Sequence, residues 1–172
     1  LAAVRDFVGN GSRANERHGT AVAGVIAAVP NNGIGIVGIA PQATVIAMRA
    51  CWSSGDDPEA GSCNSFTVAQ ALVAALHERA SPVNLSLGGP ADPLLQRIVE
   101  RGMKRGAVFV GAMPASRRRE GFPTGIEGVI AVDVAGQVPH APRTLLAPTS
   151  GAISAASRSI RLIRSACVPS FS

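Results

Sequence analysis

The stretch HGTAVAG, residues 18–24, opens an apolar, alanine-rich segment that runs to Val29 and stops at Pro30. Such a run predicts a buried helix over residues 18–29, because proline cannot continue a helix. The glycines of the stretch allow close packing against neighbouring backbone. His18 falls in the first turn, where its imidazole is held rigidly, as a general base requires. A histidine that merely caps the helix or packs in the core would give the same pattern.

The segments that follow alternate between strand and helix patterns. Short continuous apolar runs predict buried strands, and longer runs with apolar residues at helical spacing predict helices. The alternation predicts an α/β fold with a doubly wound, mostly parallel sheet and helices on both faces. The predicted strands are residues 43–49, 83–87, 107–112 and 129–134, and the predicted helices are residues 66–78 and 93–104.

The two ends of the chain depart from this alternation. Residues 1–17 are polar and carry a glycine-rich run, which predicts no regular element before the histidine helix. No acidic residue follows Asp133, whereas arginines accumulate there among serines and alanines. We therefore divide the chain into a globular domain over residues 1–135 and a poorly specified, basic Ser/Arg-rich tail over residues 136–172.

Composition narrows the classes of partner. The net charge of +5 would permit an anionic partner, but only 3% of the 172 residues are aromatic and none is tyrosine. Proteins that hold single-stranded nucleic acids stack the bases on aromatic side chains, so we expect no nucleic-acid partner. No apolar run reaches the roughly 18 residues that a membrane-spanning helix needs, so we expect no membrane partner either.

Four segments, in order, resemble the subtilase family of subtilisin-like serine peptidases. HGTAVAG resembles the catalytic-histidine motif of that family, and residues 31–41 resemble the loop that follows it. VNLSLGG at residues 83–89 resembles the strand that lines the substrate groove, and VIAV at residues 129–132 resembles a late strand of the domain. Each match is weak alone, but four in the right order are specific. The resemblance implies a partial subtilase catalytic domain and serine-type endopeptidase activity.

The resemblance also implies roles for individual residues. His18 would take the proton from a serine hydroxyl and return it to the leaving amine. Ser86, Leu87 and Gly88 would form backbone hydrogen bonds with an extended polypeptide substrate, the expected partner of a monomeric protein. No cofactor is required by this chemistry. The loop after the histidine helix often holds calcium in the family, and Asn32 could supply an amide oxygen to such a site.

Several parts of the expected catalytic apparatus have no clear counterpart. Asp6 lies too close to His18 and in a segment without the apolar strand that an orienting aspartate requires. The usual serine motif is absent, which leaves Ser150 as the candidate nucleophile. Pro114 occupies the position of the asparagine that donates a hydrogen bond to the oxyanion. We therefore expect this chain to be inactive alone, and the alternative is a non-catalytic, peptide-binding pseudoprotease.

Cys51 and Cys63 bracket a loop rich in Gly, Ser, Asp and Pro. A disulfide between them could close this loop, which would indicate a secreted or periplasmic protein. Two free thiols in a reducing compartment remain the alternative.

Residues 33–38, GIGIVG, match the dinucleotide-binding pattern G-x-G-x-x-G. That pattern binds a pyrophosphate only where it follows a strand and opens a helix. Here it follows a predicted helix and precedes a predicted strand, so we expect no nucleotide site.

Overall fold

The computed structural model describes residues 3–9, 17–53, 61–79, 81–133 and 159–164. Within these residues it contains three helices, α1 (Arg17–Ala27), α2 (Ser65–His77) and α3 (Pro93–Lys104). The strands described are β1 (Ala3–Asp6), β2 (Thr44–Arg49), β3 (Cys51–Ser53), β4 (Gly61–Cys63), β5 (Val83–Leu85), β6 (Phe109–Ala112), β7 (Ile130–Val132) and β8 (Ser159–Arg164).

Six of the described strands form one sheet in the order β1-β2-β8-β5-β6-β7. All neighbouring pairs in this sheet are parallel. Helix α3 connects β5 to β6, as a parallel pair requires, because parallel neighbours need a long crossover connection. Strands β3 and β4 form a separate antiparallel hairpin. The α/β class and the parallel sheet are therefore as predicted, whereas the doubly wound arrangement stays a prediction.

Strand β1 corrects the expectation that no element precedes the histidine helix. It pairs with β2 in parallel from Ala3 opposite Ile46 to Asp6 opposite Arg49. The sequence misses this strand because four half-exposed residues at a sheet edge carry no clear apolar alternation. The strand gains its stability from its neighbour instead.

Strand β8 lies within the segment that we expected to be poorly specified. It is parallel to β2 on one side, with Thr44 opposite Ser159, and to β5 on the other, with Val83 opposite Arg161. The tail therefore contributes a central strand to the sheet. The division of the chain at residue 135 itself stays a prediction.

The core lies where α2 and α3 pack near β5 and β6. Val83, Leu85 and Phe109 are fully buried on the strands. Asn64 caps α2 by accepting a hydrogen bond from the Thr67 backbone N–H at 2.8 Å. Helix α2 buries six residues, which are Thr67, Val68, Ala69, Ala71, Leu72 and Ala75. This packing fixes the ends of β5 and β6, from which the candidate site is built.

Candidate active site

His18 is the second residue of α1 and lies in its first turn, as the sequence predicts. The Nε2 atom of its imidazole is buried and has no hydrogen-bond partner among the described residues. A buried polar atom without a partner costs free energy, and such atoms in folded proteins often belong to functional sites. The imidazole thus keeps an unused hydrogen-bonding atom at the start of α1.

His18 lines a cavity of about 700 Å³ together with the segment that follows β5. A volume of this size is typical of ligand-binding sites, which span roughly 300–1,000 Å³. The structure therefore brings His18 to the same cavity as the predicted substrate-binding residues Ser86, Leu87 and Gly88. The cavity is lined by residues 18, 86–91, 112–116 and 120–122.

The parallel sheet explains why these segments meet. β5 ends at Leu85 and β6 ends at Ala112, and the chain enters the cavity directly after Leu85 and at Ala112. The carboxyl ends of parallel strands lie at one edge of a sheet, and ligands of open α/β folds bind outside that edge. The direction of the strands therefore gives a physical reason for a site beyond β5, which the sequence predicted from the subtilase resemblance.

The backbone of residues 86–88 is open to pairing. In the described part of the chain, no backbone hydrogen bond outside the helices and strand ladders involves these three residues. The next residue is fixed, because Gly89 exchanges two backbone hydrogen bonds with Phe122, at 2.9 Å and 2.8 Å. The Ser86 hydroxyl accepts a hydrogen bond from the Asn84 side-chain amide at 2.8 Å. An extended peptide can therefore add a strand to a segment that is anchored at both ends.

The wall formed by Gly121 and Phe122 was missed by sequence reasoning. Gly121 has φ +68°, and a Cβ atom at this position would lie 2.2 Å from the Gly89 carbonyl oxygen. Only glycine allows the two segments to approach in this way. The sequence marks this wall only by the Gly-Phe-Pro triplet at residues 121–123. No pattern in the sequence indicates that the triplet contacts residue 89.

Pro114 lines the same cavity and is half-buried. Its ring nitrogen carries no proton and its side chain has no donor, while its carbonyl oxygen accepts a hydrogen bond from the Arg117 N–H at 2.8 Å. The preceding Met113 N–H donates to the Val132 carbonyl at 2.8 Å. Pro114 therefore offers the cavity no hydrogen-bond donor.

Asp6 is held by a buried arginine. Both of its carboxylate oxygens accept hydrogen bonds from Arg49 Nη1, at 3.0 Å and 3.1 Å, and Arg49 is only 2% exposed. Burial raises the pKa of Asp6, but hydrogen bonds from the Val8 N–H and from Arg49 outweigh it and hold the pKa below its ordinary value. The expectation that this segment lacks a strand is wrong, since Asp6 ends β1. The carboxylate of Asp6 is nevertheless bonded to Arg49, which gives it a structural role.

Cys51 and Cys63 form a disulfide that joins β3 to β4. The two residues lie opposite each other in the hairpin register. The disulfide therefore closes the base of the loop that the two cysteines bracket. Ser150, the candidate nucleophile, lies outside the described residues.

The glycine-rich loop after α1 folds back on that helix. A Cβ atom on Gly38 would lie 2.4 Å from the Ala28 nitrogen, and the Gly38 N–H donates to the Ala28 carbonyl at 3.1 Å. Gly38 is thus needed for packing against α1. The loop follows a helix, whereas a dinucleotide-binding loop follows a strand. The Asn32 side-chain oxygen accepts a hydrogen bond from the Ile34 N–H at 3.0 Å. Calcium near Asn32 stays a prediction.

The described residues offer neither a metal-binding cluster nor a membrane-spanning helix. They contain no group of three or more His, Cys, Asp or Glu side chains that could hold a metal ion. Of α1, α2 and α3, none has the length and apolar character needed to cross a membrane.

Comparison with known proteins identifies relatives of the chain. It is 36% identical over 131 residues to "Thermitase" from Thermoactinomyces vulgaris, a match that covers 74% of this chain and 45% of the relative. It is 36% identical over 125 residues to a "Thermostable alkaline protease" from Halalkalibacterium halodurans, covering 72% of this chain and 33% of the relative. It is 41% identical over 96 residues to "Subtilisin Savinase" from Lederbergia lenta, covering 55% of this chain and 33% of the relative.

The chain thus spans less than half the length of these curated relatives. The profile of the Subtilase family matches residues 6–163, which is most of the chain. This match extends into the tail that carries β8. The chain therefore belongs to the subtilase family.

Proposed function

We propose that this chain is the histidine-bearing part of a serine-type endopeptidase in which His18 is the general base. The observation that carries the proposal is that His18 and residues 86–88 line one cavity. A serine hydroxyl in this cavity would transfer its proton to Nε2 of His18, which would return it to the leaving amine. The absence of a partner for Nε2 in the described part of the chain supports this role.

The substrate is an extended polypeptide. Its backbone would pair with Ser86, Leu87 and Gly88, which in the described part of the chain form no backbone hydrogen bond outside the helices and strand ladders. The side chain before the cleaved bond would enter the cavity past Met113 and Phe122. Met113 contributes apolar surface there, so an apolar side chain fits.

The chain by itself would be inactive. The Asp6 carboxylate is bonded to the buried Arg49, so it is occupied by a structural role. Ser150 is the candidate nucleophile by sequence alone. We propose that a longer polypeptide supplies the aspartate and the serine, because the chain spans less than half of its relatives.

The first experiment uses a longer polypeptide that carries this chain. We expect it to cleave peptide substrates and to react with a fluorophosphonate probe. His18→Ala should lower kcat by at least about 10²-fold, because general acid–base catalysis contributes about 10²–10⁴-fold. The matched control is His77→Ala, since His77 is exposed at the end of α2 and does not line the His18 cavity. Full activity in His18→Ala would refute the role of His18.

A second candidate function is a peptide-binding pseudoprotease, which Pro114 favours. A proline at the position of the oxyanion donor removes an interaction that is worth roughly 10²–10³-fold in kcat. In an enzyme, Pro114→Asn should therefore raise kcat by up to about that factor, whereas Pro114→Ala should not. A pseudoprotease would bind peptides, give no fluorophosphonate labelling and respond to neither substitution.

The remaining properties follow from the same proposal. The Cys51–Cys63 disulfide supports an oxidising compartment, so we propose that the protein is secreted or periplasmic. We propose that it acts as a monomer, without a nucleic-acid or membrane partner and without an obligatory cofactor. A doubly wound sheet with helices on both faces is the arrangement we propose for the complete domain.

A further inference from the structure

A second cavity, of about 890 Å³, lies between the C-terminal ends of α2 and α3. Ser81 and Ala107, which precede β5 and β6, lie in its lining, whereas the His18 cavity contains residues that follow these strands. Because β5 and β6 are parallel, the two cavities lie at opposite edges of the sheet. The second cavity is therefore separate from the candidate active site, and nothing in the proposed peptidase activity uses it.

Positive charge gathers at the rim of this cavity. Arg79, Arg101 and Arg105 all line it, and all three are exposed. Within the described part of the chain, none of their guanidinium groups has an ion pair or a hydrogen bond. Arg49, by contrast, is partnered by Asp6. No Asp or Glu lines the cavity, so the charge of the three guanidinium groups is not neutralised there.

Helix electrostatics explain only part of this cluster. A cation in the last turn of a helix favours the negative end of the helix dipole, which accounts for Arg101 on α3. Arg105 follows the end of α3, and Arg79 follows the end of α2. Arg79 also has φ +52°, a conformation that glycine or asparagine adopts more easily.

The floor of the cavity is apolar. Leu76 of α2, Ile98 of α3 and Ala107 line it between the helices. A small inorganic anion would leave these side chains uncovered, and a neutral apolar ligand would leave the arginines without a partner. A carboxylate fits the planar guanidinium fork, and an aliphatic chain fits the floor. The volume is within the range of ligand-binding sites.

We propose that this cavity binds an aliphatic carboxylate, with the carboxylate on Arg101 and Arg105 and the hydrocarbon chain against Leu76 and Ile98. The site is independent of the peptidase proposal. It follows from unneutralised charge beside apolar surface in one cavity, and it would hold even if His18 had no catalytic role.

Isothermal titration of the full 172-residue chain with octanoate at pH 7 tests the proposal. We expect saturable one-to-one binding with a Kd below about 1 mM, because several methylene groups are buried and a charged pair forms. Butanoate should bind at least about tenfold more weakly, since it lacks four of these groups. Octylammonium, which has the same chain with a positive head group, should not bind. Equal binding of octanoate and octylammonium would overturn the proposal, as would no saturable binding of octanoate.

Variants on α3 give a second test of octanoate binding. Arg101→Glu combined with Arg105→Glu should weaken octanoate binding by at least about tenfold, the loss of one charge-assisted hydrogen bond. Arg97→Glu is the matched control, because Arg97 is an exposed arginine of the same helix that does not line the cavity. If the double variant fails to fold by circular dichroism, Arg105→Gln replaces it and should weaken binding several-fold. An equal loss in Arg97→Glu would show that net charge alone attracts the anion and would overturn the proposal.

Discussion

Helices α1 and α2 are both rich in alanine and valine, yet they are packed very differently. Helix α2 buries six of its residues, whereas Gly19 is the residue of α1 that is fully buried. Val25 on α1 is 49% exposed, and Ile39 in the loop packed behind it is 87% exposed. The stability of the chain therefore resides around α2 and α3, while the candidate general base resides on a helix that contributes little to the core. Changes that affect folding and changes that affect His18 should be separable.

The largest effect that would test this difference is expected from Phe109→Ala. Phe109 is fully buried on β6, and deletion of a buried aromatic side chain costs about 3–5 kcal/mol through lost burial and the cavity that remains. The matched change in the other region, Val25→Ala on α1, should alter the free energy of unfolding by less than about 0.5 kcal/mol. Urea unfolding followed by circular dichroism measures both. Similar losses in the two variants would contradict the difference in packing.

The same difference explains how much of the fold the sequence predicts. α1, α2 and α3 lie within two residues of their predicted bounds, because apolar runs and capping residues mark helices locally. β1 was missed because its stability comes from pairing with β2, a contact that no local pattern records. β8 was missed because the basic composition of the tail outweighed the short alternation of apolar and charged residues from Ser159 to Leu162. Tertiary pairing is the information that a single sequence lacks.

In the candidate site, too, some residues were predicted from the sequence and others were not. The placement of His18 and Ser86 in one site was implied by the subtilase resemblance, and the two residues line the same cavity. The wall at Phe122 could not be predicted, because it depends on the bridge to Gly89. The arginines of the second cavity are scattered over 27 positions of sequence and converge only when α2 and α3 pack.

Removal of the disulfide should have the next largest effect. Cys51→Ser combined with Cys63→Ser should cost about 3 kcal/mol, the chain entropy released when a loop of this length is opened. The hairpin it closes leads directly into α2, so the loss should fall on the packed region. The measurement is urea unfolding of the variant with and without a reductant. The reductant should lower the unfolding midpoint of the unaltered chain and leave that of the variant unchanged; an equal loss in the variant would contradict a specific role for the Cys51–Cys63 bond.

A smaller effect, about 2 kcal/mol, is expected from Asp6→Asn on the edge strand β1. The substitution leaves the buried Arg49 with a neutral partner, and the loss lies below the 3–5 kcal/mol of a fully buried pair because Asp6 is partly exposed. The neighbouring pair of Arg5 with Glu78 is much more exposed. Arg5→Gln should therefore cost less than about 1 kcal/mol. If thermal unfolding ranks the two variants in the opposite order, burial of Arg49 is not what stabilises β1.

The smallest effect concerns the two helix caps of the packed region, Asp92 on α3 and Asn64 on α2. The side chain of Asp92 accepts hydrogen bonds from the Leu94 and Leu95 N–H groups, at 2.8 Å and 3.0 Å, and from the Ser65 hydroxyl. Asp92→Ala should cost about 1 kcal/mol at pH 7, as should Asn64→Ala, because each removes the acceptor of otherwise unpaired helix N–H groups. Urea unfolding at pH 7 gives both values.

The two caps should differ once pH is lowered. The hydrogen bond from Ser65, partly opposed by burial and assisted by the Leu95 and Leu94 N–H groups, holds the pKa of Asp92 below its ordinary value of 3.8. A carboxylate with a lowered folded-state pKa stabilises the fold fully above its unfolded pKa, and this contribution is lost as pH falls through the folded pKa. The cost of Asp92→Ala should therefore shrink below about pH 4, whereas the cost of Asn64→Ala should stay constant, because an amide does not titrate in this range. Parallel loss of both costs would mean that the whole region loosens in acid and that the charge of Asp92 is not responsible.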